Sequence, residues 1–391
     1  MNMKKLLAAL LACAMMAGVL SACGAAEEPK GDANPGGASV ENESNDRTEP
    51  YRLGYINMSG YGATFEAITT VLESMCDAAG VELVPVQMAG GGADGFITAY
   101  ENLVNMGIDG VMASSSSEGQ VRLIAELFEQ NDVDWFLVNR RLSDSDLQEY
   151  VFSQSRLVGN EFCYEEETAY QVVKQLHEEY GMKNLAVIGL TLGDAAGDLR
   201  DQGIAKACEE FGVTLLTETR GISSASDVTN AVEGIITSYP EVDGFFIVGG
   251  SVTNGALAGA SQALANHGME DKVVIGMIDI ASGMEEYMGE GKPLKVVAGG
   301  NLLMDWVISC SCMINYANGI DTDKTPYILN TSVMYVKTPE DAVDYSTYYE
   351  NPTTPMMSGD QWYDTLLGKD VDTIQAFVDN YTLDYARSLS E

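Results

Sequence analysis

From residue 51 onward the chain alternates short apolar runs with amphipathic stretches, and this alternation limits the possible folds more than any other feature. Residues 52–56, 81–86, 110–113 and 135–138 are short runs rich in apolar residues and bounded by polar residues or glycine. Runs this short suit parallel strands covered on both faces. Between them, residues 65–79 carry Phe65, Ile68, Leu72, Met75 and Cys76 at helical spacing and stop at Gly80. Residues 96–106, closed by Gly107, and 119–130 give two further helices. The pattern restarts after residue 160, with helices over 165–180, 200–211, 228–238 and 254–267 and strands over 185–190, 213–216, 244–248 and 273–278. The expected fold class is α/β, with two doubly wound parallel-sheet lobes of similar size.

In open α/β sheets the ligand site lies beyond the carboxyl ends of the strands. Here those ends carry small or polar residues: 57–59, 114–117, 139–141, 191–198, 249–251 and Asp279. Two such edges facing each other make a polar cleft. The charge excludes one class of partner. With 21 basic against 58 acidic residues the formal net charge is −37, and nucleic acid binding needs a basic face. Cys76, Cys163, Cys208, Cys310 and Cys312 form no disulfide framework, and His177 and His267 are not at ligand spacing, so neither a metal nor a cofactor is expected. No nucleophile elbow or metalloprotease helix is present, and no enzymatic activity is expected.

The N-terminus carries an address. Lys4 and Lys5 precede an apolar stretch over 6–20 that is short for a membrane span. It ends in Leu20-Ser21-Ala22-Cys23, which resembles a bacterial lipoprotein lipobox. The resemblance implies a signal peptide over 1–22, lipidation of Cys23 and an extracytoplasmic protein anchored to the cell membrane. Residues 23–50 are rich in Gly, Ala, Glu, Asn and Pro and nearly free of large apolar residues, the composition of a disordered tether.

The order and spacing of several segments carry a second resemblance. Leu53-Gly-Tyr-Ile-Asn57, Thr64-Phe65 opening a helix, Ala79-Gly80-Val81 closing it, Phe136-Leu-Val-Asn139-Arg140, Arg200-Asp-Gln-Gly203-Ile-Ala-Lys-Ala207, Val242-Asp-Gly-Phe-Phe246 and Val274-Ile-Gly-Met-Ile-Asp279 follow one another in a known sequence. From residue 51 to about 336 the chain resembles the type I periplasmic sugar-binding proteins, such as the ribose- and galactose-binding proteins. The resemblance implies two Rossmann-like lobes joined by three crossings, a hinged cleft that closes on a sugar or polyol, and delivery to an ABC permease. It places the N-terminal lobe at 51–158 and 302–330 and the C-terminal lobe at 159–301 and 331–336. A monomer is expected. A ligand sensor signalling to a membrane receptor or histidine kinase is the alternative.

Sugar recognition needs flat aromatic faces and convergent polar groups. Tyr61, between glycines, has no evident core role, and Thr64 and Phe65 stand at family stacking positions, although Phe65 also fits the first core position of its helix. Arg140 is the strongest candidate, because an arginine fork at a strand end can grip two hydroxyls or a carboxylate; a structural ion pair is the other reading. Asn139 adjoins it, and Asp279 occupies a family strand end with one extra residue before it. Asp198 and Arg200 stand near a family arginine position, Ser251 follows Gly250 where the family has Asn-Asp, and Asn301 lies near its last polar contact. These departures leave the substrate open.

Gly90-Gly91-Gly92-Ala93-Asp94-Gly95 matches a dinucleotide-binding fingerprint, but at the second strand-helix unit, where a flexible glycine turn is the expected role. Residues 337–391 form an acidic, aromatic extension with short helices over 359–367 and 371–381. Packing back on a lobe is expected of it, with partner docking as the alternative.

Overall fold

A computed structural model describes residues 49–58, 63–88, 93–115, 117–222, 224–249, 253–351, 353 and 355–389. The signal segment, Cys23 and most of the tether lie outside the described residues, as do Tyr61, Gly90, Gly91, Gly92, Gly250 and Ser251. No helix among the described residues is long and apolar enough to cross a membrane.

The first lobe is built on β1 (Arg52–Asn57), β2 (Glu82–Gln87), β3 (Gly110–Ala113), β4 (Asp134–Leu137) and β5 (Leu157–Cys163), with helices α1 (Ala63–Ala79), α2 (Ala93–Asn105), α3 (Glu118–Gln130) and α4 (Ser145–Phe152) between them. The second repeats the plan with α5 (Glu165–Tyr180), β6 (Asn184–Ile188), α6 (Ala195–Phe211), β7 (Thr214–Thr219), α7 (Ala225–Ser238), β8 (Gly244–Ile247), α8 (Thr253–His267), β9 (Val274–Ile278) and β10 (Leu294–Gly299). The chain then returns through α9 (Asn301–Ala317) and β11 (Tyr327–Thr331) to the first lobe and through β12 (Met334–Val336) to the second.

The two six-stranded sheets have the orders β11-β5-β4-β3-β1-β2 and β12-β10-β9-β8-β6-β7. Every pairing is parallel except β10 with β12. Strand length and position follow from burial. The central strands β3 and β8 are buried along their whole length, whereas the edge strands β2 and β7 are largely half-buried or exposed. Pro85 sits on edge strand β2, opposite Tyr55, where its missing N–H breaks no interior ladder. One apolar cluster covers each face of the first sheet: Ile68, Leu72 and Trp306 on the α1–α9 side, and Tyr100, Ile124 and Phe128 on the α2–α3 side. In the second lobe α5 and α6 pack against each other on one face while α7 and α8 cover the other.

The two halves of the α/β expectation therefore form two doubly wound lobes, but the first crossing lies later than a boundary at 158. Strand β5 runs to Cys163 inside the first sheet, paired with β4 and β11. Asn160 and Glu161 hid this strand, because two polar residues break the apolar run. Both are buried by satisfying backbone. The Asn160 amide donates to the carbonyls of Leu137 and Arg140 at 3.0 Å each, and Glu161 accepts the Asn139 N–H.

One glycine fixes the second lobe. A Cβ on Gly203 of α6 would lie 1.9 Å from the Glu166 carbonyl oxygen of α5. Gly203→Ala is expected to push these helices apart at a cost of about 2 kcal/mol or more, as overpacked sites do. Urea denaturation checks this; a change within 0.5 kcal/mol, the ordinary range for neutral surface changes, would refute the close packing.

The extension adds α10 (Pro339–Tyr348), α11 (Gly359–Thr365), α12 (Val371–Asn380) and α13 (Leu383–Ser388). Capping boxes start α10 at Thr338 and α11 at Ser358. It packs on both lobes rather than one. Helix α11 lies on α1, α12 on α9 and β11, and α10 on β12 and the turn at Met284–Tyr287 of the second lobe. Its aromatics Tyr345, Tyr349, Trp362 and Tyr381 are buried, as expected of a packed segment.

Candidate functional site

The chain leaves the first sheet at the carboxyl end of β5 and the second at the carboxyl end of β10, so the same ends of both sheets come together. Each lobe has its switch point there, between β1 and β3 and between β6 and β8. The candidates among the described residues gather along these ends.

Asn139 follows β4 with φ 48°, and Asp279 follows β9 with φ 69°. The two strands hold equivalent places in their sheets. Each lobe thus ends the corresponding strand in a left-handed Asx residue, a conformation that costs energy for any residue with a Cβ and clusters at ligand sites. Backbone contacts hold both: the Asn139 N–H donates to Glu161 Oε1, and the Asp279 N–H donates to the Ala298 carbonyl at 2.9 Å.

Arg140 is largely withdrawn from water. One of its terminal N–H groups donates to the Ser115 carbonyl beyond β3, and its own backbone N–H donates to the Glu161 carbonyl at 3.2 Å. Its Nε is buried and has no acceptor among the described residues. Burial holds its pKa below the ordinary arginine value, opposed by the negative charges of Asp194, Glu165 and Glu118. Asp194 and Glu165 belong to the second lobe. They cap and open α6 and α5, and Asp194 accepts the Gly197 N–H at 2.8 Å. An acidic residue at a helix N-terminus is favoured by the helix dipole, so both are placed by local structure before any ligand arrives.

Arg200 is placed differently. Its Nε donates to Glu165 Oε2 at 2.7 Å, and Nη1 donates to the Val248 carbonyl at 2.6 Å and lies 3.7 Å from Asp279 Oδ2. Burial opposes its charge, but Glu165 and Asp279 outweigh burial and raise its pKa. Gly249, at φ 93°, admits this arrangement: a Cβ there would lie 2.5 Å from Asp279 Oδ2 and 2.7 Å from Arg200 Nη1. Arg200 therefore fixes Asp279 and Glu165, with two of its three nitrogens already committed.

The other candidates sit around this centre with local duties. Asp198 accepts the Gly193 N–H at 3.1 Å and shapes the loop after β6. Thr64 donates to Glu350 Oε1 of the extension at 2.9 Å, and Phe65 packs partly against the core. Asn301 opens α9 and is buried behind the left-handed Gly300. Sequence reasoning passed over Glu118, Glu161 and Glu165, and reached Ser115 and Asp194 only as members of the polar strand ends 114–117 and 191–198. Asp194 carried a signal, three residues before Gly197 at a helix start; Glu161 carried none. No group of acidic, cysteine or histidine residues among the described residues is arranged to hold a metal ion.

Residues 53–299 match the profile of a family described as periplasmic binding protein domain. Among solved structures, the chain is similar to a galactofuranose binding protein, with a TM-score of 0.62 and 14% identity over 77% of this chain and 100% of that one. An ABC transporter periplasmic solute binding protein from Actinobacillus succinogenes with bound D-allose gives a TM-score of 0.61 and 18% identity over 76% and 100%. A 5-methylthioribose transporter solute binding protein from Thermotoga lettingae, in complex with 5-methylthioribose, gives 0.60 and 17% over 84% and 97%. No curated protein sequence matches significantly.

Proposed function

The chain belongs to the periplasmic binding protein family, and on that premise we propose that it binds a sugar or polyol between its lobes and delivers it to an ABC importer from the outer face of a cell membrane, tethered through a lipidated Cys23. The observation that carries the binding reading is the buried Nε of Arg140, a charged donor without an acceptor among the described residues at the meeting of the two sheets. A buried donor left unmade costs about 1–3 kcal/mol, and a hydroxyl oxygen removes that cost. Ligands of the solved relatives supply such oxygens.

The acidic surroundings favour a neutral ligand over an anionic one. Asp194, Glu165 and Glu118 already offset the Arg140 charge, so a carboxylate or phosphate would add repulsion. Asn139, Asp279 and Asn301 then serve the remaining hydroxyls, Phe65 the apolar ring face and Thr64 the rim, with Tyr61 and Ser251 kept as candidates from the sequence. Arg200 and Asp198 hold the walls.

The test is a thermal-shift screen of the purified full-length protein against D-allose, D-galactose, 5-methylthioribose, myo-inositol and amino acids. At a ligand concentration a thousandfold above Kd, binding stabilises the native state by about 4 kcal/mol. Arg140→Ala should weaken any sugar hit about 100-fold, which is about 2.8 kcal/mol at 1.4 per decade. Unchanged affinity in that variant would sink the site assignment.

A further inference from the structure

The three chain crossings between the lobes each contribute one member to a buried polar cluster. Glu161 stands two residues before the end of β5, Asp305 lies in the first turn and a half of α9, and Thr331 ends β11. Glu161 and Asp305 are each 0% exposed. The Thr331 hydroxyl donates to Glu161 Oε2 at 3.5 Å, and Asp305 lies near enough for the Glu161 charge to push its pKa further up, beyond the effect of burial. Neither Asp305 oxygen has a hydrogen-bond partner among the described residues. An ionised carboxylate is an acceptor only, so a hydrogen bond between two carboxyl groups requires a proton on one of them.

We propose that Asp305 keeps its proton at neutral pH and donates it to Glu161, and that the Glu161 carboxylate in turn holds the Asn139–Arg140 corner in place. Glu161 is thus a positioning residue. Its side chain accepts the Asn139 N–H at the left-handed turn, and its carbonyl accepts the Arg140 N–H. An ionised Glu161 receives three donors, from Asn139, Asp305 and Thr331, and charge-assisted hydrogen bonds are roughly twice as strong as neutral ones.

The surroundings leave the pair as the titrating element. Glu165 on α5 is tied to Arg200, and burial pushes the thiols of Cys163 on β5 and Cys312 on α9 upward, away from neutrality. Burial also raises the Glu161 carboxyl from 4.5 to about 7 and Asp305 well above its ordinary value. The sign follows from a raised carboxyl pKa. The stability due to the doubly protonated pair is complete below about pH 4.5 and is lost as pH rises through about 7. Over the same rise the grip on the corner tightens.

A tighter corner bears on ligand affinity only through the reading of Arg140 given above, whereas the proton and the corner are tested without ligand. Infrared spectra of the full-length protein at pH 8 should show a protonated-carboxyl stretch, because exposed carboxyls are ionised there. Asp305→Asn, which keeps a donor toward Glu161, should abolish that band. Hydrogen exchange at the Asn139 amide, corrected for intrinsic rate, should slow about fivefold from pH 6 to pH 8 in the wild type and stay flat in Glu161→Gln. A wild-type protein without the band, or a band surviving Asp305→Asn, overturns the shared proton. An unchanged exchange profile in Glu161→Gln overturns the positioning role. Failure of every sugar to bind, with the band and profile as expected, refutes the ligand reading and leaves the pair standing.

Discussion

Arg200→Met is expected to destabilise the protein by about 3–5 kcal/mol, the cost of stranding one partner of a buried ion pair. The side chains of Arg200 and Glu165 are only 6% and 8% exposed, and their contact is 2.7 Å. Removing the guanidinium leaves the Glu165 carboxylate without its cation and the Val248 carbonyl without its donor. Methionine fills much of the volume, so little of the loss comes from a cavity. The double variant Arg200→Met with Glu165→Gln should recover a large part of the stability, since a neutral amide no longer has to be buried as a charge. Urea denaturation measures both. Because the chain has two lobes, the loss should appear in the transition of the second. A single variant within 1 kcal/mol of wild type would show that water reaches Glu165.

Trp362→Ala is expected to cost about 3–5 kcal/mol, in the range for a deleted core aromatic. Trp362 is 0% exposed on α11, and its indole N–H donates to Ser74 Oγ of α1 at 3.2 Å. The neighbouring Tyr363 is 45% exposed, so Tyr363→Ala should lie within about 0.5 kcal/mol of wild type. The contrast matters more than either value. It separates a packed extension from an acidic tail resting on the surface, and equal effects of the two substitutions would reject the packing. The extension also bridges the lobes. Arg387 of α13 joins Asp344 and Asp341 of α10, and Lys337 reaches Glu179 of α5 at 2.8 Å. Part of the Trp362 loss should therefore appear as a wider spread of lobe orientations in small-angle scattering.

Much of the fold was legible because burial imposes a pattern. The 65–79 stripe became α1, and the short apolar run at 110–113 became β3, a strand with all four residues buried. Where a buried element carries polar groups, the pattern fails. Strand β5 was missed because Asn160 and Glu161 are satisfied by residues twenty or more positions away, which no local window contains. Helix α4 escaped for a related reason: over eight residues it buries only Leu147 and Val151.

The site divided in the same way. Asn139 and Arg140 stood out as polar residues ending an apolar run, and Asp279 as the residue ending another. Their equivalence appears only when β4 and β9 take matching places in two sheets. Arg140 and Arg200 looked alike in the sequence. In the structure one has an unpaired buried nitrogen, and the other spends its donors on Glu165 and Val248.

By itself, the sequence determined the α/β class, the two lobes and the polar strand ends that carry the candidate residues, because hydrophobic periodicity and glycine stops are local. Only the tertiary structure decided which arginine keeps an unpaired nitrogen, which acids face it across the lobes, and that the extension ties both lobes together. Those outcomes depend on long-range hydrogen bonds and desolvation, and both are set by residues that chain order keeps far apart.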